Sequence, residues 1–461
     1  MKENEKVSKK DLVSIFSVAL VAFLSILTET SMNVTFPTLM KSMNVSLNLV
    51  QWITTGYLLT VAILMIISAY LKQRFKSKTL FIAATIFFVV GDLICIFSPN
   101  FPILLFGRII QAFSAGISIP LMYNIILENV PISKLGFYIG IAALVIMIAP
   151  ATGPTYGGLM VSLADWRMIF WSTLPVIFIL MFIGIKTIHQ VSPIKKTRFE
   201  LKQFVLLAAG LVLTMLGFSN LSISGVGSWQ FLGTILAAII AFALYYVVSQ
   251  RSDNQLINIK VFKNPMFKYS FLAYVILQFC NLATNFSLPN YAQIVVGASS
   301  LIGGLVLLPG SLLTAISQPW FGHLLDRYGA KIPIISGSIL VTISAIGFTV
   351  FGLNLTVAMI IIFYTVFSFG RSMAFGNSLT YGLKSVPREL TPDANAIFNT
   401  GQQFAGSLGT TVMAAFMSSD KSAGVSYATA TAVGSHRGFV FILILSLINF
   451  VLYYQAFKKR A

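Results

Sequence analysis

The chain has 461 residues, 57% of them hydrophobic and 10% charged, with 31 Lys and Arg against 13 Asp and Glu and a mean hydropathy of +0.86. A soluble fold of this length needs far more charge to cover its surface, so the composition excludes a soluble globular protein. Cys95 and Cys280, and His189, His323 and His436, are scattered along the sequence. That scatter argues against a disulfide framework and against a metal centre.

Fourteen apolar runs follow in chain order, at about 12–36, 49–71, 79–98, 102–127, 136–160, 168–188, 203–221, 229–249, 267–290, 300–322, 332–353, 355–381, 395–417 and 438–457. Each can cross a hydrocarbon core of about 30 Å as a helix, and each is too long for a barrel strand of about 9–11 residues. The expected fold is therefore an all-α integral membrane protein. The first run has no small-residue cleavage site and reads as a retained helix, not a signal peptide. With the N-terminus placed in the cytoplasm, 25 basic residues fall in cytoplasmic segments. Lys41, Arg167, Lys421 and Arg437 fall outside, and Arg108 and Arg371 lie within runs. This bias puts both termini in the cytoplasm. It also explains the net charge of +18 as attraction to an anionic leaflet, with no nucleic-acid partner required.

The first run carries Glu29 inside "LSILTETSMNVTFP". If the helix ends near Pro37, Glu29 lies about 12 Å below that end, near the bilayer midplane. Ser25, Glu29 and Asn33 share one face at i, i+4 spacing. A charge at the bilayer centre costs roughly 2.5–3.5 kcal/mol and usually faces a cavity or a partner. Glu29 is thus expected to face a central cavity and carry a proton from one side to the other; the alternative is a structural carboxyl bonded across helices. Asp92 sits near the outer end of the third run and Arg108 near the outer start of the fourth, both roughly 8–9 Å deep. An antiparallel hairpin brings them together, either as a proton site tuned by Arg108 or as a fixed bridge. Glu128, at the cytoplasmic end of the fourth run, reads as an interfacial salt-bridge partner.

The fifth run holds Gly140, Pro150, Gly153, Pro154, Gly157 and Gly158. Proline kinks a helix and small residues allow close approach, so this density points to a dry, bendable seam. Two turns look alike, "AYLKQRFKSK" at 69–78 and "GHLLDRYGAK" at 322–331. In the second, Gly322 and Gly329 permit a tight turn, and Asp326 and Arg327 form a candidate cytoplasmic latch; the bland alternative is a solvated turn. Arg371, in the twelfth run, either binds an anionic substrate group or lies against another helix's carbonyls. Asn33, Trp52, Tyr57, Tyr123, Asn124, Asn285, Tyr291 and Gln293 are candidates for a mixed polar and aromatic substrate lining. Trp52 and Tyr291 fit an interfacial belt equally well.

The 322–331 turn resembles the signature loop of the major facilitator superfamily. "GRIIQAFSAGISIP" (107–120) resembles that family's helix 4 motif, and "APATGPTYGG" (149–158) the helix 5 motif of its antiporters. "DWRMIFWSTLP" (165–175), "LPNYAQIVVGASSLIGGLVLLPG" (288–310) and "NTGQQFAGSLGT" (399–410) are similar to segments of the fourteen-helix drug:proton antiporter branch. The sequence departs from the pattern in the first turn, where Gln73 and Lys76 replace Asp and Gly. In the first run the carboxylate stands at Glu29, one residue after the usual position, which is Thr28 here. The resemblance implies two six-helix bundles (1–188 and 266–461) flanking a cavity, with a linker and two further helices between them (189–265), working by alternating access. It implies that the fifth-run motif blocks proton leak.

The expected function is proton-coupled export of amphipathic, often cationic drugs by a monomer in a bacterial cytoplasmic membrane. Protons are the coupling ion and no other cofactor is expected. No Walker loop is present, so ATP hydrolysis is not expected. The competing readings are the same fold moving a metabolite, lipid or peptide, and a membrane enzyme or sensor, for which no nucleophile–base cluster speaks.

Overall fold

The computed structural model describes residues 7–131, 134–194, 198–225, 227–252, 255–418 and 426–458, which form helices joined by short turns, with no strand among them. In chain order the helices are α1 (Lys9–Met43), α2 (Leu47–Val50), α3 (Trp52–Arg74), α4 (Ser77–Ile96), α5 (Phe101–Asn129), α6 (Leu135–Leu163), α7 (Met168–Thr187) and α8 (Leu201–Ser224). They continue as α9 (Trp229–Gln250), α10 (Pro265–Ile294), α11 (Ser300–Leu305), α12 (Leu308–Tyr328), α13 (Lys331–Phe351), α14 (Val357–Lys384), α15 (Thr391–Met417) and α16 (Tyr427–Lys458).

Among the described residues, thirteen spans are long and apolar enough to cross a membrane, α2 with α3 and α11 with α12 each counting as one. The fourteenth of the expected spans, 395–417, is α15. Its 27 residues reach about 40 Å, yet Asn395, Asn399, Gln402 and Gln403, with Ser407, Thr410 and Thr411, make it too polar to qualify. α15 packs against α3, α8, α10 and α16, and Ser407, Thr410 and Thr411 are buried. Protein, not lipid, receives these three hydroxyls.

Local chemistry sets the helix ends. Asn100 and Asn264 cap α5 and α10 by accepting from the N–H groups of Ile103 and Met266. Pro102 and Pro265 stand in the first turns, where a missing N–H is harmless. Gly329, at φ 72°, turns the chain out of α12 in a conformation that favours glycine. One expectation is corrected: α1 does not end near Pro37 but runs to Met43, where Asn44 takes the left-handed conformation. Pro37 leaves the Asn33 carbonyl without its helical donor. Asn290 of α10 supplies one through Nδ2 at 3.3 Å, so the helix carries on past its proline.

The start of α1 and the end of α16 lie on one side of the bundle, here the terminal side. His189 Nε2 is 3.6 Å from Asp11 Oδ1, and Gln190 accepts from the Ser77 N–H. The rings of Tyr381 and Phe457 lie 5.2 Å apart. Helices α1, α5, α6 and α7 pack around one another, as do α10, α12, α13, α14 and α16. α8 and α9 form a hairpin, and α8 lies on α3 and α15.

The hydrogen bonds joining α1–α7 to α10–α16 cluster on the other, far side. Gln293 Nε2 donates to the Val34 carbonyl at 2.9 Å and Thr155 to that of Gly304 at 3.4 Å. Thr55 and Thr411 hydroxyls meet at 3.0 Å, and Ser407 donates to the Thr55 carbonyl at 3.1 Å. Toward the terminal side, Gly136 and Gly140 of α6 and Gly376 of α14 are exposed, and a Cβ on any of them would meet nothing within 4 Å.

Candidate functional site

Glu29 lies near the middle of α1, twenty residues from its start and fourteen from its end. It is 6% exposed, and its Oε1 has no hydrogen-bond partner among the described residues. Its neighbours on the stripe are committed elsewhere. Ser25 donates to the Val21 carbonyl and lies 3.2 Å from Ser114 Oγ of α5. Asn33 Oδ1 accepts from Thr54 of α3 at 2.8 Å. The stripe therefore faces α3 and α5, and Glu29 is its one member without a bond.

Arg108, on α5, is close enough to act on the Glu29 charge, but no ion pair joins them among the described residues. The Arg108 guanidinium lies 4.4 Å from the Tyr57 ring centroid, a cation–π arrangement. Tyr57 in turn donates its hydroxyl to the Ser25 carbonyl at 2.9 Å. Arg108 donates through Nη1 to Gln111 Oε1, and Gln111 donates through Nε2 to Asp92 Oδ1. Asp92 Oδ2 accepts from Thr173 of α7 at 2.8 Å. Asp92 and Arg108 are both fully buried. The hairpin does bring them together, with Gln111 between them and not in the direct contact that depth suggested. Arg108 Nε and Nη2 have no acceptor among the described residues.

The antiporter-like segment of α6 lies against backbone. A Cβ on Gly157 would stand 2.3 Å from the Ser31 carbonyl oxygen, and one on Gly158 2.4 Å from that of Ser300. Gly153 and Pro154 are also buried, and Ser31 donates to the Gly153 carbonyl at 2.9 Å. Across from them, a Cβ on Gly304 would reach 2.2 Å from the Pro154 oxygen. Only glycine allows these approaches. Pro150 lies half-buried at the start of this stretch, whereas Gly140 lies outside the seam, in open space.

Several lining candidates make hydrogen bonds between helices. The Trp52 indole donates to Ser219 of α8 at 3.2 Å. Tyr291 is fully buried, and its hydroxyl accepts from the Leu355 N–H at 3.3 Å. Gln293 and Asn33 belong to the far-side contacts. The polar atoms of Trp52 and Tyr291 thus each have a partner in the protein. Asn285 is buried and accepts from Tyr364 at 2.9 Å. Tyr123 and Asn124 are half-buried on the terminal half of α5.

At the turns, Lys72 and Glu128 form an ion pair at 2.6 Å, the role expected of Glu128, in the turn that lacks the family's Asp and Gly. Gly322 is exposed, and the Arg327 guanidinium lies 5.2 Å from the Tyr328 ring centroid. The Asp326 side chain lies outside the described residues. Gln111 and Thr173 were not singled out from sequence. Gln111, one turn after Arg108, carried a usable i, i+3 signal; Thr173, from another helix, carried none.

An all-helical bundle of many spans, with charged side chains held in its interior, is the architecture of a membrane transport protein. The chain belongs to the Major Facilitator Superfamily, whose family model matches residues 18–410. It is 34% identical over 444 residues to a lincomycin resistance protein of Listeria monocytogenes, with 94% of each chain covered. The lincomycin resistance protein of Bacillus subtilis is 34% identical over 448 residues, covering 94% of this chain and 93% of that one. A riboflavin transporter of Clostridioides difficile is 24% identical over 409 residues, 88% of each chain. Among solved structures, a peptide transporter in complex with sulfate superposes with a TM-score of 0.70 at 14% identity, over 96% of this chain and 94% of that one. That likeness is one of fold. The chain is a multi-pass membrane transporter and not an enzyme.

Proposed function

We propose that this chain exports amphipathic drugs in exchange for protons by alternating access. The bundles 1–188 and 266–461 rock about the central cavity while 189–265 forms the linker and extra helix pair. The observation that carries the proton coupling is the buried Glu29 carboxyl, which has no hydrogen-bond or ion-pair partner among the described residues. A carboxyl tied into a structural network cannot readily change its protonation state; Glu29 is not tied, whereas Asp92 is. Drug export is supported by the two lincomycin resistance relatives. The charge bias of the turns supports a terminal side facing the cytoplasm of a bacterial cell. The clustering of inter-bundle contacts on the far side then corresponds to an inward-open carrier.

The test is transport by purified protein in proteoliposomes carrying an imposed pH gradient, with ethidium as substrate. Gradient-dependent ethidium movement is expected, and its absence for this and a panel of other amphipathic drugs rejects the reading. A second reading, transport of one metabolite, is favoured by the riboflavin transporter relative. Gradient-driven movement of riboflavin without ethidium selects it.

The α6 seam is proposed to keep protons from crossing the idle carrier. Gly157→Ala places a methyl group against the Ser31 backbone, which cannot swing away as a side chain could. The expected result is a proton leak into proteoliposomes several times that of wild type, read with a pH dye in the absence of drug. A tight membrane with normally folded variant removes the sealing role.

A further inference from the structure

The triplet Phe-Gly-Arg occurs twice, at 106–108 in α5 and at 369–371 in α14. Both helices start on the far side and both follow a partner packed along them, α4 for α5 and α13 for α14. The surroundings correspond closely. A Cβ on Gly91 of α4 would strike the backbone of Gln111, three residues after Arg108, and one on Gly337 of α13 would strike that of Ala374, three after Arg371. The second copy sits about two turns deeper, since Arg108 is seven residues into its helix and Arg371 fourteen.

One difference between the copies has chemical weight. In the first, Gly91 is followed by Asp92, and Gln111 passes the Arg108 charge to it. In the second, Gly337 is followed by Ser338, whose hydroxyl bonds within its own helix to the Ile334 carbonyl at 2.8 Å, and Ala374 replaces the glutamine. The remaining carboxylates after residue 264 are Asp326 in the last turn of α12, Glu389 and Asp393 at the start of α15, and Asp420 beyond its end. Among the described residues, Asp326, Glu389 and Asp393 stand at helix ends on the terminal side, away from the depth of Arg371. The phenols of Tyr364, two turns earlier on α14, and Tyr274 of α10 spend their protons on Asn285 at 2.9 Å and Gln402 at 2.6 Å. The Arg371 Nε is buried without an acceptor, although the residue as a whole is partly exposed.

The arginine also has a flat wall beside it. Phe375, one turn on, stacks on Tyr274 with centroids 4.0 Å apart and planes 14° from parallel, and the Arg371 guanidinium is 5.2 Å from the Phe375 centroid. Tyr274 is itself fully buried, backed by Phe398 with centroids 5.0 Å apart, so the half-buried Phe375 is the face that the pair presents beside Arg371. A guanidinium fork beside a stacked aromatic pair is the chemistry that recognises a carboxylate on an aromatic body.

We infer that Arg371 is the recognition point for the carboxylate of aromatic anionic or zwitterionic substrates, so that the carrier's substrates extend beyond cations. This rests on the reading of the interior as a substrate path. The experiment compares 1-naphthaleneacetate with 1-naphthaleneethanol, which share the ring and differ in the charged group. Binding is measured by titration calorimetry with the full chain in nanodiscs of zwitterionic lipid, so that no acidic headgroup competes. Wild type is expected to bind the acid at least about tenfold more tightly than the alcohol. Arg371→Gln is expected to weaken the acid by about tenfold and the alcohol by less than about twofold, while Arg371→Lys keeps part of the preference. Equal affinities in wild type, no measurable binding of the acid, or equal weakening of both ligands by Arg371→Gln each overturn the assignment. Where Arg371→Gln does not fold, the wild-type pair and Arg371→Lys decide. Wild-type ethidium transport, measured in parallel, separates failure of this inference from failure of the export reading.

Discussion

Glu29→Gln should reduce pH-gradient-driven ethidium transport to the rate of protein-free liposomes while the protein still binds drug. Glutamine matches glutamate in shape and length and imitates the protonated acid, but it can neither release nor accept a proton. The surrounding structure gives folding no reason to fail, because the lost charge was not holding a partner in place. Substrate counterflow, which needs no net proton movement, is expected to survive in the variant. The diagnostic result is thus a split between the two assays. Unchanged gradient-driven transport in Glu29→Gln would remove Glu29 from the coupling step.

Asp92→Ala should be the most destabilising single change in the N-terminal helices. Removing one member of a buried charged network leaves the other uncompensated, at a cost of about 3–5 kcal/mol. Arg108 is fully buried, and without Asp92 it would keep Gln111, the Tyr57 and Phe170 rings and the Glu29 charge nearby, none of them an ion-pair partner. The expected readout is loss of monodisperse protein and a large fall in unfolding temperature in detergent. Because truncation can fail for many reasons, the pairing needs the double variant Asp92→Asn with Arg108→Gln. That variant keeps the shapes and removes both charges, and it should recover most of the lost stability. A stable Asp92→Asn protein that has lost only its proton coupling would instead make Asp92 a proton carrier.

The sequence made some of this legible and hid the rest for identifiable reasons. Glu29 stands out because a carboxyl in an apolar run is rare whatever the fold. The meeting of Asp92 with Arg108 follows from their equal depths in a hairpin. Gln111 between them does not follow, since depth alone cannot say which side chain fills a gap. Trp52 is ambiguous in sequence because an indole near a helix end suits a membrane interface, a cavity or a neighbouring helix equally; its bond to Ser219 depends on a helix whose docking place is a tertiary fact. Sequence alone places the end of α1 near Pro37, because the donor that rescues the freed carbonyl comes from Asn290, far along the chain. α15 was correctly expected as a helix by length, while its composition falls short because lipid is not its main surroundings.

The position of α8 has a mechanical consequence. α8 is stitched to α3 through Trp52 and Ser219, and to α15 through Met215, whose sulfur lies 3.5 Å from Ser407 Oγ. An apolar cluster adds Leu59 and Ile66 of α3 and Ile397 and Phe398 of α15, so that margin is bound along most of its height. The opposite margin, where α6 meets α11 and α12, is fastened around Pro154, Thr155 and Gly158 and stands free at Gly136 and Gly140. Two covers joined along a spine do not separate evenly. In the rocking motion proposed above, the halves are expected to fan apart, with the widest gap at the fore-edge, on the side away from the extra helices.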